Sequence, residues 1–176
     1  MANQTLAPGT VADDNSYGDE AWTDPGNATA SDDSRASVVL DAGERSHYIK
    51  ATNFGFSIPA GATIDFINLK FEGYRSGDAV FDVVKLVQAG TVVGSNAAAG
   101  QFFNTGEGGE FITEVGFLSS GFTAEDINDS GFGMVMAQFS EFGPDIGVFV
   151  DQITISVDYT AASTGQQKNR TLMGVG

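Results

Sequence analysis

The segment Asp151 to Tyr159, DQITISVDY, restricts the fold of this chain more than any other: Ile153, Ile155, Val157 and Tyr159 alternate with Thr154, Ser156 and Asp158. A period of two puts the apolar side chains on one face of a strand and the polar ones on the other, as in a sheet with one buried and one solvated face. A helix cannot hold this pattern, because residues two apart point to widely separated sides of it. A second constraint is Ser57-Ile58-Pro59-Ala60-Gly61-Ala62-Thr63-Ile64. Its proline presets φ and its glycine takes left-handed backbone, so it reads as a turn that launches a strand over Ala62 to Gly73. In that strand Ile67, Leu69 and Phe71 share one phase, with Asn68 and Lys70 between them. Phe66 breaks the phase and marks a bulge, an exposed aromatic or a contact point.

The remaining pattern is also that of strands. Turn-forming glycine is abundant (23, against 4 prolines), and Val, Ile, Thr and 14 Phe supply the apolar bulk. Strands are predicted over Arg35 to Ala42 and Arg45 to Phe54, with a turn at Gly43, and over Ala79 to Val87, which is apolar on both faces and suits the middle of a sheet. Further strands are expected over Thr91 to Gly94 after a tight turn at Ala89-Gly90, over Phe111 to Leu118, and over Phe132 to Phe139. Residues 95–110 read as a long loop, and Thr123-Ala124-Glu125-Asp126 as a capped helical turn ended by Gly131. The expected architecture is all-β, a single jelly-roll-like β-sandwich over residues 35–160.

Two segments flank it. Residues 1–34 carry Asp13, Asp14, Asp19, Glu20, Asp24, Asp32 and Asp33 and no Lys or Arg, and form an acidic N-terminal arm. This arm is either flexible or an extended strap anchored by Trp22. Residues 161–176 form a C-terminal tail whose only charges are Lys168 and Arg170. The opposite signs suit head-to-tail pairing between subunits. Candidate interface residues are therefore Trp22, Asp13, Asp14, Phe66, Lys168 and Arg170.

Charge and composition exclude several chemistries. With 23 acidic against 8 basic residues, the net charge of -15 disfavours nucleic acid and anionic membranes as partners. The absence of cysteine removes disulfides, thiolate catalysis and cysteine-based metal sites. Met1 to Thr5 has neither a basic nor an apolar run, so the expectation is synthesis in the cytoplasm without a signal peptide. Asp126, Asn128 and Ser130 open a calcium-loop pattern, but Ala137 stands where its bidentate carboxylate belongs. An ordinary turn explains them, and calcium is carried only as a possible cofactor. His47, the single histidine, reads as a half-buried strand residue, and Gly106 to Gly109 lacks the Lys-Ser/Thr of a phosphate loop. No catalytic residue and no cofactor-binding residue is expected, and the chain reads as non-enzymatic.

Trp22 with Pro25-Gly26-Asn27-Ala28 and Asp32-Asp33, then Phe54 to Ile64, the Asp82-to-Val87 strand, Phe122 to Asn128, Phe132-Gly133 and Val150 to Tyr159, resembles the small virion proteins of tailed bacteriophages. The resemblance implies a jelly-roll structural protein of the virion, most simply a capsid decoration (cement) protein. Such a protein would be trimeric, bound to the major capsid protein or other virion subunits through its arm and tail. The alternative is a carbohydrate- or receptor-binding module on the tail, fibre or capsid surface. Trp22, Tyr74, Phe102 and Phe103 are the aromatic candidates for stacking on sugars, although core packing is the plainer role of each.

Overall fold

The computed structural model describes residues 1–98, 103–106, 112–118 and 121–162. It is a β-sandwich of two antiparallel five-stranded sheets. The first, sheet A, contains β1 (Ala2–Leu6), β3 (Ala36–Leu40), β5 (Thr63–Arg75), β8 (Ile112–Leu118) and β10 (Ile146–Thr160). The long strand β10 pairs with β5 along one side; on its other side it pairs first with β3 and then with β1. Strand β8 closes the far side of β5. Sheet B runs β2 (Thr10–Asp14), β4 (Tyr48–Thr52), β9 (Gly133–Ser140), β6 (Ala79–Gln88) and β7 (Thr91–Val93). Strand β6 is an interior strand, as its two apolar faces require.

The core lies between the sheets. Ile67, Leu69 and Phe71 of β5 and Ile153, Ile155 and Val157 of β10 are fully buried, and they face Ile49, Met134, Met136 and Val84 of sheet B. Phe81 joins the layers, 5.3 Å from Phe71 and 4.9 Å from Phe103 between ring centroids. The expected turn at Ala89-Gly90 is present, both residues having positive φ, and it leads directly into β7. A one-turn helix, α1 (Ala124–Asn128), has Thr123 as its N-cap: Asp126 N–H donates to the Thr123 hydroxyl while the Asp126 carboxylate accepts from Thr123 N–H. This reciprocal pair satisfies two of the donors that a helix start leaves unpaired.

Residues 1–34 are not a separate arm. β1 joins sheet A and β2 joins sheet B, so the chain enters the sandwich through an edge strand of each sheet. Low apolar content did not prevent this, because an edge strand gains backbone hydrogen bonds and needs few buried side chains. The rest of the segment is the strap expected of a Trp22 anchor. Trp22 is only 5% exposed, and its indole N–H donates to the His47 carbonyl. Thr29 then bridges to Gln152 on the edge of β10, between the stretches paired with β3 and β1. In the predicted tail only residues 161 and 162 are described, and Lys168 and Arg170 lie outside the described residues.

Among the described residues, three β-bulges set which side chains face outward. Pairing skips Asp65 in β5, Asp82 in β6 and Asp151 in β10. Each extra residue lets two apolar residues three apart face the core: Ile64 with Ile67, Phe81 with Val84, and Val150 with Ile153. The residue after each aspartate is turned outward. Phe66 breaks phase for this reason: the bulge at Asp65 aims it away from the core.

Candidate functional site

The outer faces of the two sheets differ in chemistry. On sheet B, Tyr48, Val83, Val87, Val135 and Ala137 form a second apolar cluster, separate from the main core. The chain covers it itself. After β2 the loop turns back at Gly18, whose φ is +73°, and lays Tyr17 on Tyr48 with ring centroids 4.8 Å apart and planes 9° from parallel. The Tyr17 hydroxyl donates to Asp82 at 2.5 Å, and the same carboxylate oxygen accepts from Arg45 Nε at 2.9 Å. The Arg45 guanidinium also lies 4.4 Å from the centre of the Phe139 ring. Burial, reinforced by the Asp82 carboxylate, pushes the Tyr17 phenol up to about 12. Burial raises Tyr48 as well, with the charges of Asp14 and Asp82 adding to it.

Along the β2 edge of sheet B the acidic residues of the predicted arm find internal partners. Asp13 accepts from the Trp22 backbone N–H and pairs with His47 Nδ1, each at 2.9 Å. Asp14 pairs with Lys50 at 3.2 Å, and Lys50 also donates to the Gly90 carbonyl. Hydrogen bonds from Ser16, with Lys50 alongside, hold the Asp14 carboxyl below its usual range. Trp22, Asp13 and Asp14 are thus engaged within their own domain.

The outer face of sheet A is polar along most of its length. Register places Asp158 beside Phe66, Ser156 beside Asn68, Thr154 beside Lys70 and Gln152 beside Glu72, with Asn3 and Thr5 of β1 flanking Asp158 and Ser156. These β5 and β10 side chains are half-buried. Asn3 donates to Asp158 at 2.7 Å, and the Thr5 and Ser156 hydroxyls are hydrogen-bonded to each other. Glu72 lies six residue steps beyond Phe66, so the ladder is about 20 Å long. At its far end the strap arrives, with Ser31 donating to Glu72 at 3.1 Å.

Aromatic rings stand at both ends of this ladder. The tip of the Phe66 ring occupies the space that a β-carbon on Gly116 would fill, 2.3 Å from the ideal position. Beyond Glu72, Tyr74 stacks on Phe149 with centroids 4.6 Å apart, and Phe149 leans over Gly147 in the same manner. Arg35 covers Tyr74, its guanidinium 5.3 Å from the ring centre. Both half-buried rings, Phe66 and Phe149, are therefore seated beside glycines that leave room for them.

The aromatic candidates from sequence are placed differently. Trp22 and Phe103 are buried in the core, Tyr74 is only 8% exposed beneath Arg35, and Phe102 lies outside the described residues. Trp22 and Phe103 pack because large aromatic surface is more stable away from water than at the rim. Phe149 was missed in the sequence, since it sits in an apolar run, GVFVD, that reads as core until the bulge at Asp151 is known.

The calcium-loop pattern also has internal partners. The Asp126 carboxylate accepts from Thr123 N–H, the Thr123 hydroxyl and Gln88, and the Thr123 hydrogen bonds hold its carboxyl below the usual range. Asn128 clasps Ile58, accepting from its N–H and donating to its carbonyl. Ser130 contributes its backbone carbonyl to Asn53 N–H. Among the described residues no group of three or more His, Asp or Glu side chains is arranged to hold a metal ion. An open cleft of about 1060 Å³ lies beside this turn, lined by Ala60 to Ile64 and by Phe122 to Glu125. Both sequence elements singled out for their turn chemistry thus meet at one end of the sandwich.

No family model and no curated protein matches the chain. Among solved structures it is similar to the N-terminal cellulose-binding domain of Cellulomonas fimi β-1,4-glucanase C, at 14% identity over 90% of each chain and a TM-score of 0.37. It is also similar to the CBM22-1 xylan-binding domain of Paenibacillus barcinonensis Xyn10C, at 9% identity over 89% of this chain and 87% of that one, TM-score 0.38. A third is the CBM36-1 domain of a multidomain xylanase from the hindgut metagenome of Trinervitermes trinervoides, at 8% identity over 92% of this chain and all of that one, TM-score 0.34. Likeness at this level concerns the β-sandwich alone, and function is read from the surface of this chain.

Proposed function

We propose that this chain is a non-catalytic carbohydrate-binding module whose binding surface is the outer face of sheet A. The observation that carries the reading is the ladder of hydroxyl, amide and charged side chains on β5 and β10, set between half-buried aromatic rings. Sugars present the matching chemistry: hydroxyls that donate and accept, and an apolar C–H face that packs on an aromatic ring. The acidic and tyrosine groups with displaced pKa values (Asp14, Tyr17, Tyr48, Asp126) are engaged in contacts within the domain and lie away from this face.

Capsid decoration has less behind it. Of the residues expected to strap neighbouring subunits, Trp22, Asp13 and Asp14 are engaged inside the domain. Phe66, the other expected interface residue within the described part, belongs to the sheet A face and is explained by the sugar-binding reading.

The test is affinity electrophoresis of the intact chain through gels cast with soluble polysaccharides. Retardation by at least one of them, lost on mutation of the sheet A face and kept on mutation of the sheet B face, is expected. Equal loss from both faces, or retardation by none, sinks the reading.

A further inference from the structure

Resting on that reading, we infer that the ligand is a linear, uncharged polysaccharide that lies lengthwise along β5 and β10, with Phe66 as its stacking anchor. Three features of the face lead there.

The first is shape. The ladder is one continuous outer surface of two paired strands rather than a pit, and side chains on one face of a strand repeat about every 6.7 Å. From Phe66 through Asn68 and Lys70 to Glu72, and from Asp158 through Ser156 and Thr154 to Gln152, outward side chains, all polar except Phe66, stand in two parallel rows. Two rows of that length suit an extended chain. A single sugar would meet only one rung.

The second is charge. Carboxylates stand on the ladder at Asp158 and Glu72, with Lys70 as its central cation, and the whole chain carries a net charge of -15. A uronate or sulfate polymer would meet carboxylates at both ends of the ladder and a repulsive field from the rest of the protein. A neutral polymer meets no such opposition, and the hydroxyls and amides serve it equally well.

The third is the seating of Phe66. The bulge at Asp65 turns it outward, and Gly116 on the neighbouring strand leaves the space its ring tip fills. Two separate sequence features, an inserted residue and a missing side chain, therefore converge on holding one aromatic ring at the end of a polar face. Asp65 is itself fixed, accepting from the Thr160 hydroxyl at 2.8 Å. An aromatic residue in a half-solvated position, held by its neighbours, suits stacking on a sugar ring, because its conformational entropy is already reduced before binding.

The experiment uses the whole chain. Dextran, galactomannan and hydroxyethylcellulose are compared with dextran sulfate, alginate and polygalacturonate by affinity electrophoresis, and oligosaccharides of increasing length from the retained polymer are titrated by calorimetry. Retention by a neutral polymer, affinity that climbs with oligosaccharide length, and binding about tenfold weaker in Phe66→Ala are expected. Phe66→Trp keeps or strengthens binding, which separates stacking from fold damage, and thermal melts confirm that both variants are folded. Preference for the acidic polymers, saturation by a monosaccharide, or unchanged binding in Phe66→Ala overturns this inference while leaving carbohydrate binding standing. Retention by none of the six polymers overturns both.

Discussion

The two outer faces of this sandwich are built from the same kind of strand and end in opposite states. On sheet B the outward residues of the interior strands include Tyr48, Val83, Val87, Val135 and Ala137, with Lys50 and Lys85 on the same rung as Val135, and Tyr17 and Val92 pack against the apolar ones. On sheet A the corresponding positions are Asn68, Lys70, Gln152, Thr154 and Ser156, and they remain half-open. An apolar face must find a cover, and here a loop of the same chain supplies it. A polar face can stay hydrated and exchange water for the hydroxyls of a ligand. On the proposed reading the covered face contributes to stability and the open face to recognition, so mutations on the two should separate these properties.

The largest separation is expected between Tyr48→Ala and Phe66→Ala. Tyr48→Ala opens a cavity under Tyr17 and lowers stability by about 3 kcal/mol, read as a fall in the urea midpoint, while glycan binding stays unchanged. Phe66→Ala does the reverse, lowering stability by less than about 1 kcal/mol and weakening binding. If both variants lose stability equally, the division between the faces fails.

Charge gives a smaller contrast. Asp82 holds Tyr17 and Arg45 together, whereas Asp158 makes one bond to Asn3 at the sheet edge. Asp82→Asn should cost about 1–2 kcal/mol and Asp158→Asn about 0.5 kcal/mol or less. Denaturant unfolding of the two variants side by side decides it.

Alkaline pH tests the cover directly. The Tyr17 phenol is raised from 10.0 to about 12, so its neutral form is favoured in the folded state. That contribution is fully present below pH 10 and is lost as pH rises from 10 toward 12. Stability measured against pH should fall more steeply in the parent chain than in Tyr17→Phe over that window. Equal slopes would place the alkaline sensitivity elsewhere.

Much of this arrangement was legible in the sequence. The alternation over Ile153 to Tyr159 predicted a strand with one buried and one polar face, and the ladder is that polar face. The capped turn at Thr123 and the tight turn at Ala89-Gly90 also followed from local chemistry. What could not be read was the effect of the bulges. Phe66 was left ambiguous, and a strict period of two extended back from Ile153 would put Phe149 in the core. The signal was present as a repeated pattern, apolar-Asp-x-apolar, in Ile64-Asp65-Phe66-Ile67, Phe81-Asp82-Val83-Val84 and Val150-Asp151-Gln152-Ile153. Two apolar residues three apart in a strand share a face only if one residue between them is extra. The pairing of β1 and β2 was hidden for another reason: edge strands are defined by backbone hydrogen bonds to distant partners, which leave little trace in composition.

The effect expected at the Thr123 cap calibrates the others, because it falls on neither face. Thr123 and Asp126 cap a single helical turn at the end of the sandwich, and hydrogen bonds from Thr123 lower the Asp126 carboxyl below its usual range. A lowered carboxyl contributes stability above its unfolded value and loses that contribution as pH falls through the folded one. Thr123→Ala should therefore cost about 1 kcal/mol at neutral pH, and less as the solution is acidified below the ordinary aspartate range. Glycan binding at neutral pH should be the same as in the parent chain. A loss of binding in this variant would mean that recognition follows global stability, and the loss in Phe66→Ala would then say nothing specific about sheet A. Unchanged binding at a measurable stability cost is what allows the open face to be credited with recognition.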